Sequence, residues 1–174
     1  MTWSDQVLDT IAAEFSDVGD VAQLTRVIVR LTLAAVLGFA LGFEREKQGK
    51  AAGIRTHMLV AIGSAMFVLV PQQAGIVASD MSRVIQGLVA GVGFLCAGTI
   101  LKTGQDEQQV QGLTSAAGLW MTAAIGMACG LGRETTAILS TLLALAVLAL
   151  MPRVVALFER SLEPSKDVPQ SPRN

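Results

Sequence analysis

The chain has 174 residues, of which 52% are hydrophobic and 16% are charged, and its formal net charge is −1. This composition is too apolar for a typical water-soluble domain, and the near-neutral charge argues against nucleic acid as a partner. Several uncharged stretches are close to the ~20 apolar residues with which a helix crosses a bilayer, so we predict an integral membrane protein whose first partner is lipid.

The segment 1–23 precedes the first predicted span. Its acidic residues lie largely away from an apolar face, which predicts an amphipathic helix over 3–15. The residues on that face are Trp3, Val7, Leu8, Ile11 and Phe15. Because the polar face is acidic, it is unsuited to anionic lipid, and we expect this helix to pack onto the spanning helices.

Five apolar segments within residues 24–155 predict an all-α membrane protein, a compact bundle of about five transmembrane helices. We place the spans at about 24–43, 56–70, 84–101, 112–129 and 136–151. The second and fifth are expected to end at Pro71 and Pro152, because proline lacks the N–H that continues a helix. The remaining segment, 156–174, is predicted to be a disordered cytoplasmic tail because it combines three prolines with mixed charge.

The distribution of basic residues orients the predicted spans. Placing the Glu44–Arg55 connection in the cytoplasm assigns nine lysines and arginines to that side, and three near or beyond the span ends, Arg26, Arg83 and Arg133, to the other. The N-terminus is then predicted to lie outside the cell and the C-terminus in the cytoplasm.

The connection between the first two spans contains most of the candidate functional residues. They are Glu44, Arg45, Glu46, Arg55, Thr56 and His57. Glu44 and Glu46 are candidate oxygen ligands for Mg²⁺, but side chains two residues apart on a helix diverge, so a direct clamp requires the helix to end there. The alternative is an ion-pair network with Arg45, Lys47 and Arg55.

The residues that begin the second span each have two interpretations. Arg55 either binds a phosphate head group or pairs with Glu44. Thr56 is a candidate helix cap. His57, the one histidine in the chain, is either a hydrogen-bonded anchor at the interface or part of a proton relay.

Further polar residues lie within the predicted spans. Arg30 is expected either to extend towards the interface or to pair with Asp20 or Asp80. The uncharged members of this group either line a narrow polar path or form hydrogen bonds between helices. They are Gln86, Thr99, Thr114, Ser115 and Thr122.

Glycines recur at four-residue spacing in three spans, which favours close helix–helix approach. The pairs are Gly38 and Gly42, Gly87 and Gly91, and Gly126 and Gly130. Each pair fits packing within one chain or a homodimer interface.

The run GFEREKQGKAAGIRTHMLVAIGSAMF, Gly42–Phe67, resembles the signature of the MgtC/SapB family of bacterial membrane proteins. The runs GVGFLCAGTILK, Gly91–Lys102, and VQGLTSAAGLWMTAAIGMACGLG, Val110–Gly132, are similar to that family's third and fourth spans. The resemblance covers about residues 24–150. The matching positions are Glu44, Arg45, Glu46, Gly53, Arg55, Thr56, His57, Gly112, Leu113, Thr114 and Trp120.

The resemblance implies a multi-pass inner-membrane protein with an accessory or regulatory role in magnesium homeostasis and adaptation to low magnesium. It would act through contacts with other membrane proteins, such as the membrane sector of the F-type ATP synthase. Virulence-associated members carry a cytoplasmic C-terminal domain resembling ACT domains, whereas this sequence continues only as a short tail and is similar to the short, membrane-only members.

The alternative function is direct transport of Mg²⁺ or another small solute. Against it, no acidic residue lies deep in a predicted span, where a divalent cation needs oxygen ligands. The sequence contains no recognisable nucleophile–base–acid set, so we expect neither enzymatic activity nor a resident cofactor, with Mg²⁺ entering only as a ligand or substrate.

Overall fold

The computed structural model describes residues 2–14, 20–101 and 112–162, which form six helices and no strand. The helices are α1 (Trp3–Glu14), α2 (Val21–Lys47), α3 (Ile54–Gln73), α4 (Ala78–Leu101), α5 (Leu113–Gly130) and α6 (Glu134–Leu162). The last five are long and apolar enough to cross a membrane. The predicted all-α fold with five spans and an N-terminal helix is therefore confirmed.

Two helix boundaries differ from the sequence-based prediction. α3 continues through Pro71 to Gln73, and α6 continues through Pro152 to Leu162. A proline removes a single helical hydrogen bond, and the helices retain the others on both sides of it. The start of the predicted disordered tail is consequently helical, whereas residues 163–174 lie outside the described part of the chain, as do Phe15 and residues 102–111.

Helix α5 lies at the centre of the bundle and packs against α2, α3, α4 and α6. Its contact with α3 is close because glycine faces alanine. A Cβ atom added at Gly126 would overlap the backbone of Ala61, and one added at Gly130 would overlap the backbone of Ala65. In lipid, such small residues allow helix backbones to approach and gain dispersion energy.

Helix α2 approaches α3 through a second glycine pair. A Cβ atom at Gly38 would lie 2.8 Å from the backbone oxygen of His57, and one at Gly42 would lie 2.6 Å from the Cα of Ile54. The third pair differs, because no atom of the described chain lies within 4 Å of a Cβ placed at Gly87 or Gly91. Two of the three pairs therefore pack within the chain, and the pair on α4 does not.

The N-terminal helix is separate from this bundle. α1 is exposed along its length and contacts no other helix among the described residues. The expectation that it packs onto the spanning helices is therefore wrong for this structure. Its apolar face, which includes Trp3 and Leu8, is open to the surroundings.

Consecutive spans alternate in direction, and this gives the bundle two distinct ends. α2 and α6 begin, and α3 and α5 end, at the same end, which contains Arg30. We call this the Arg30 end. The opposite end, where α2 ends and α3 and α5 begin, contains Arg45 and is called the Arg45 end.

Candidate functional site

The acidic pair near the end of α2 lies on a continuous helix. Because α2 extends to Lys47, Glu44 and Glu46 project in different directions. Glu44 Oε1 accepts a hydrogen bond from Gln48 Nε2 at 2.7 Å, and Glu46 Oε2 accepts one from the backbone N–H of Ile54 at 2.8 Å. The two carboxylates do not form a direct clamp, and the described residues contain no cluster of three or more metal-ligating side chains.

Glu46 serves as the cap of α3. The N-cap position is occupied by Gly53, which has no side chain to accept a hydrogen bond from the first helical turn. A Cβ atom at Gly53 would lie 2.5 Å from Glu46 Oε2, so the absence of a side chain leaves room for the carboxylate. The suggestion that Thr56 caps this helix is wrong, because Thr56 lies inside its first turn and is exposed.

Arg45 is almost completely buried, with 2% of its surface exposed. Its Nη1 donates to Gln48 Oε1 at 3.2 Å, whereas Nε and Nη2 have no hydrogen-bond partner. In the described part of the chain, no ion pair joins Arg45, Lys47 or Arg55 to either glutamate. The predicted ion-pair network is therefore not formed, and Arg45 is a buried cation with two unused donors.

His57 lies between helices rather than at the surface, and its side chain is fully buried. Its Nδ1 is 3.0 Å from the backbone oxygen of Gly53. A carbonyl oxygen only accepts, so Nδ1 donates, and Nε2 of the neutral ring is then an acceptor. Nε2 has no partner and faces Gly118 of α5, where an added Cβ would be 3.6 Å away. Arg55, two residues earlier, is exposed.

At the other end of the bundle, Arg30 connects four helices. Its Nη1 donates to Gln72 Oε1 of α3 at 2.8 Å and to the backbone oxygen of Gly130, the last residue of α5, at 2.9 Å. Its Nε lies 3.8 Å from Glu134 Oε1 at the start of α6. A cation at the C-terminal end of α5 is also favoured by the helix dipole.

The predicted partners of Arg30 are wrong. Asp20 instead accepts from the backbone N–H of Gln23 as the cap of α2, and Asp80 pairs with Arg83 on its own helix. Sequence reasoning missed Gln72 and Glu134. The alternation of span direction was the signal available, because it brings the end of α3 and the start of α6 to the same end as Arg30.

The uncharged polar residues of the spans do not come together as a path. Gln86 and Thr114 are exposed, and Ser115 is buried in α5. Thr99 donates to the backbone oxygen of Cys96 in its own helix at 2.7 Å. Thirteen positions separate Gln86 from Thr99 on α4, which corresponds to about 20 Å along the helix axis.

Comparison with known proteins identifies the family of this chain. The model of the MgtC family matches residues 31–157, which contain the Arg45 end of the bundle, all of α3, α4 and α5, and most of α2 and α6. The chain belongs to the MgtC family. With its five apolar helices, this membership makes it a multi-pass inner-membrane protein.

Three relatives illustrate the similarity. YhiD of Escherichia coli strain K12, whose name proposes a magnesium transporter, is 43% identical over 128 residues, or 70% of this chain and 58% of YhiD. SrpB of Synechococcus elongatus is 42% identical over 69% of this chain and 71% of SrpB. MgtC of Brucella abortus strain 2308 is 42% identical over 72% of this chain and 51% of that protein.

The chain thus spans little more than half the length of YhiD and of the Brucella protein. No solved structure matches it. MgtC-family membership agrees with the resemblance carried by the three sequence runs.

Proposed function

We propose that this MgtC-family chain has an accessory or regulatory role in magnesium homeostasis and adaptation to low magnesium, acting through contacts with other membrane proteins. The observation that carries the proposal is the charge at the two ends of the bundle. Arg30 lies at one end and Arg45 at the other, and both reach into the interior. A divalent cation entering from either side would approach a guanidinium group, which has no ion pair with the described residues at the Arg45 end and lies 3.8 Å from Glu134 at the Arg30 end.

The interior also offers few oxygen ligands. The buried polar or charged residues are Arg45, His57, Ser64, Ser115, Thr122 and Thr141. The two threonines donate to backbone oxygens of their own helices at 2.8 Å. Mg²⁺ prefers carboxylates and retained water, and among the described residues no carboxylate is buried. These features support a protein that does not carry the ion itself.

Helix α4 supplies a surface suited to a membrane partner. Gly87 and Gly91 leave the backbone open on one face, and Phe94 is 82% exposed. A small-residue ridge in lipid allows a helix of another protein to approach closely. The membrane sector of the F-type ATP synthase is the partner implied by the resemblance, and a second copy of this chain is the competing occupant.

The proposal includes the orientation given by the basic residues. The Arg45 end, with Lys47, Lys50 and Arg55, faces the cytoplasm, and the N-terminus lies outside. We also propose that the protein has no catalytic activity and no resident cofactor.

The second candidate is transport of Mg²⁺ or another small solute, which the name of the relative YhiD favours. The deciding experiment measures Mg²⁺ entry into sealed liposomes containing the purified protein, read with a trapped dye. Wild type is compared with Glu44→Gln, the candidate ion mouth, and with Asp80→Asn, a carboxylate at the Arg30 end.

We expect no entry above that of protein-free liposomes, although the protein is folded and inserted and an ionophore produces the full dye signal. Saturable entry that is reduced by Glu44→Gln but not by Asp80→Asn would establish transport and remove the regulatory proposal.

A further inference from the structure

The two unused donors of Arg45 require an acceptor. A buried guanidinium whose N–H groups lack acceptors is costly, because the desolvation of those groups is not compensated. Nε and Nη2 lie side by side on the planar guanidinium, which is the geometry that binds two oxygens of a phosphate or carboxylate. Neither Glu44 nor Glu46 supplies those oxygens, because their hydrogen bonds are to Gln48 and Ile54.

A groove adjoins this end of the bundle. It has a volume of about 290 Å³ and lies between α2, α3, α5 and α6. Its lining is almost entirely apolar, and the residues that matter to the argument are Leu41, His57, Thr114, Gly118, Leu143 and Val147. A volume near the lower limit of ~300 Å³ for ligand pockets accommodates part of one hydrocarbon chain.

The lining of the groove comes within one helical turn of Arg45. Leu41 lines it, and Arg45 follows four residues later on the same face of α2, about 6 Å further along the axis. The Cβ of His57 lies next to the same helix, because a Cβ atom added at Gly42, three residues before Arg45, would be 3.1 Å from it. His57 directs the unpartnered Nε2 towards Gly118, another lining residue. As an acceptor, Nε2 is complementary to a hydroxyl group rather than to a phosphate oxygen.

The charge at this end favours an anion. Two helices, α3 and α5, begin here, and the N–H groups of their first turns have no intrahelical acceptor. Glu46 already accepts from the first turn of α3, but no carboxylate of the described chain does so for α5, where Thr114 lies in the first turn. Lys47 and Lys50 are exposed nearby.

We propose that this groove binds an anionic phospholipid whose head group carries a free hydroxyl, the phosphatidylglycerol class. One acyl chain lies between α5 and α6, the phosphate is bound by Nε and Nη2 of Arg45, and the hydroxyl donates to Nε2 of His57. In this conformation, Nε and Nη2 of Arg45 and Nε2 of His57 are all enclosed. Lipid binding is therefore accompanied by changes of side-chain rotamer, which are common at interfaces.

Native mass spectrometry of the whole protein in detergent tests the site by titration. The probes are phosphatidylglycerol, phosphatidylmethanol, which has the same charge without the hydroxyl, phosphatidylcholine, which has no net charge, and inorganic phosphate. We expect phosphatidylglycerol to bind most tightly and phosphatidylmethanol several-fold more weakly. Phosphatidylcholine should bind at least about tenfold more weakly, because it has no free hydroxyl for His57 and its trimethylammonium group is repelled by Arg45.

Two pairs of variants locate the site. Arg45→Gln should weaken phosphatidylglycerol binding about tenfold, whereas Arg153→Gln, which removes an exposed charge from the part of α6 near the same end, should not. Leu143→Trp fills the groove and should also weaken binding, whereas Leu142→Trp changes a neighbouring exposed residue outside its lining. Leu143→Trp leaves Arg45 intact, so the pair on α6 decides the question even if Arg45→Gln does not fold.

The proposal is overturned by equal affinity for phosphatidylglycerol and phosphatidylcholine, or by equal effects within each pair of variants. Equal affinity for phosphatidylglycerol and phosphatidylmethanol removes His57 from the site and overturns the assignment of a hydroxyl. If inorganic phosphate at millimolar concentration displaces the lipid from wild type and binds equally well to Leu143→Trp, the site is one for free phosphate and the lipid assignment is wrong.

Discussion

Replacing Arg30 with alanine should destabilise the bundle, because this side chain connects α2 to three other helices. The substitution removes the hydrogen bonds to Gln72 and to the backbone oxygen of Gly130, and the contact with Glu134. It also leaves the oxygen of Gly130 at the end of α5 without that donor. The Arg30 side chain is only 19% exposed, so water compensates for little of this loss.

The magnitude follows from these three contacts. A hydrogen bond involving a charged group contributes about 1.5–3 kcal/mol, which applies to the part-buried bond with Gly130. The bond with Gln72 is exposed, and we assign it about 0.5–1.5 kcal/mol. The contact with Glu134, at 3.8 Å and with 41% of the glutamate exposed, adds less than about 1 kcal/mol. We expect a loss of about 2–5 kcal/mol in the free energy of unfolding.

Arg26 provides the matched control. It lies one turn earlier on α2, it is exposed, and no ion pair or hydrogen bond of its side chain is formed with the described residues. Arg26→Ala removes the same charge from the same helix and should change the free energy of unfolding by less than about 0.5 kcal/mol.

The assay is reversible unfolding in mixed detergent micelles, followed by circular dichroism as the fraction of denaturing detergent rises. A double-mutant cycle with Gln72→Ala should show coupling between the two side chains, because contacting residues are not additive. The reasoning is refuted if Arg30→Ala unfolds at the wild-type midpoint, or if Arg26→Ala lowers the midpoint by the same amount.

Three further predictions use the same unfolding assay or growth. Gly126→Val should lower the free energy of unfolding by at least about 1–3 kcal/mol, because the valine side chain would overlap the α3 backbone. Gly87→Val, on the open face of α4, should be nearly neutral, and equal losses for the two variants would contradict the packing described. Glu46→Ala should cost about 0.5–2 kcal/mol through loss of the α3 cap, and an unchanged midpoint would show that the carboxylate is not a cap. Arg55→Ala should leave stability unchanged, since Arg55 is exposed, but should slow growth at low magnesium; normal growth at wild-type protein level would remove Arg55 from the functional residues.

Much of the membrane topology was predictable because lipid imposes one solution on the backbone. Every N–H and C=O in the hydrocarbon must be satisfied, so long apolar segments become helices, and the five predicted spans correspond to α2–α6. The predicted spans differ from the observed helices mainly at their ends. Prolines at 71 and 152 were treated as helix ends, although each removes only one hydrogen bond from a helix that continues.

The sequence by itself determined the five apolar helices, the family and the segment that carries most of its signature residues. Only the tertiary structure decided what those residues contact. Arg30 meets partners 42 and 100 positions away, and His57 is buried against a helix that begins more than fifty residues later. The physical reason is that hydropathy is a local property, whereas the burial and hydrogen-bond partners of a polar side chain depend on which helices become neighbours.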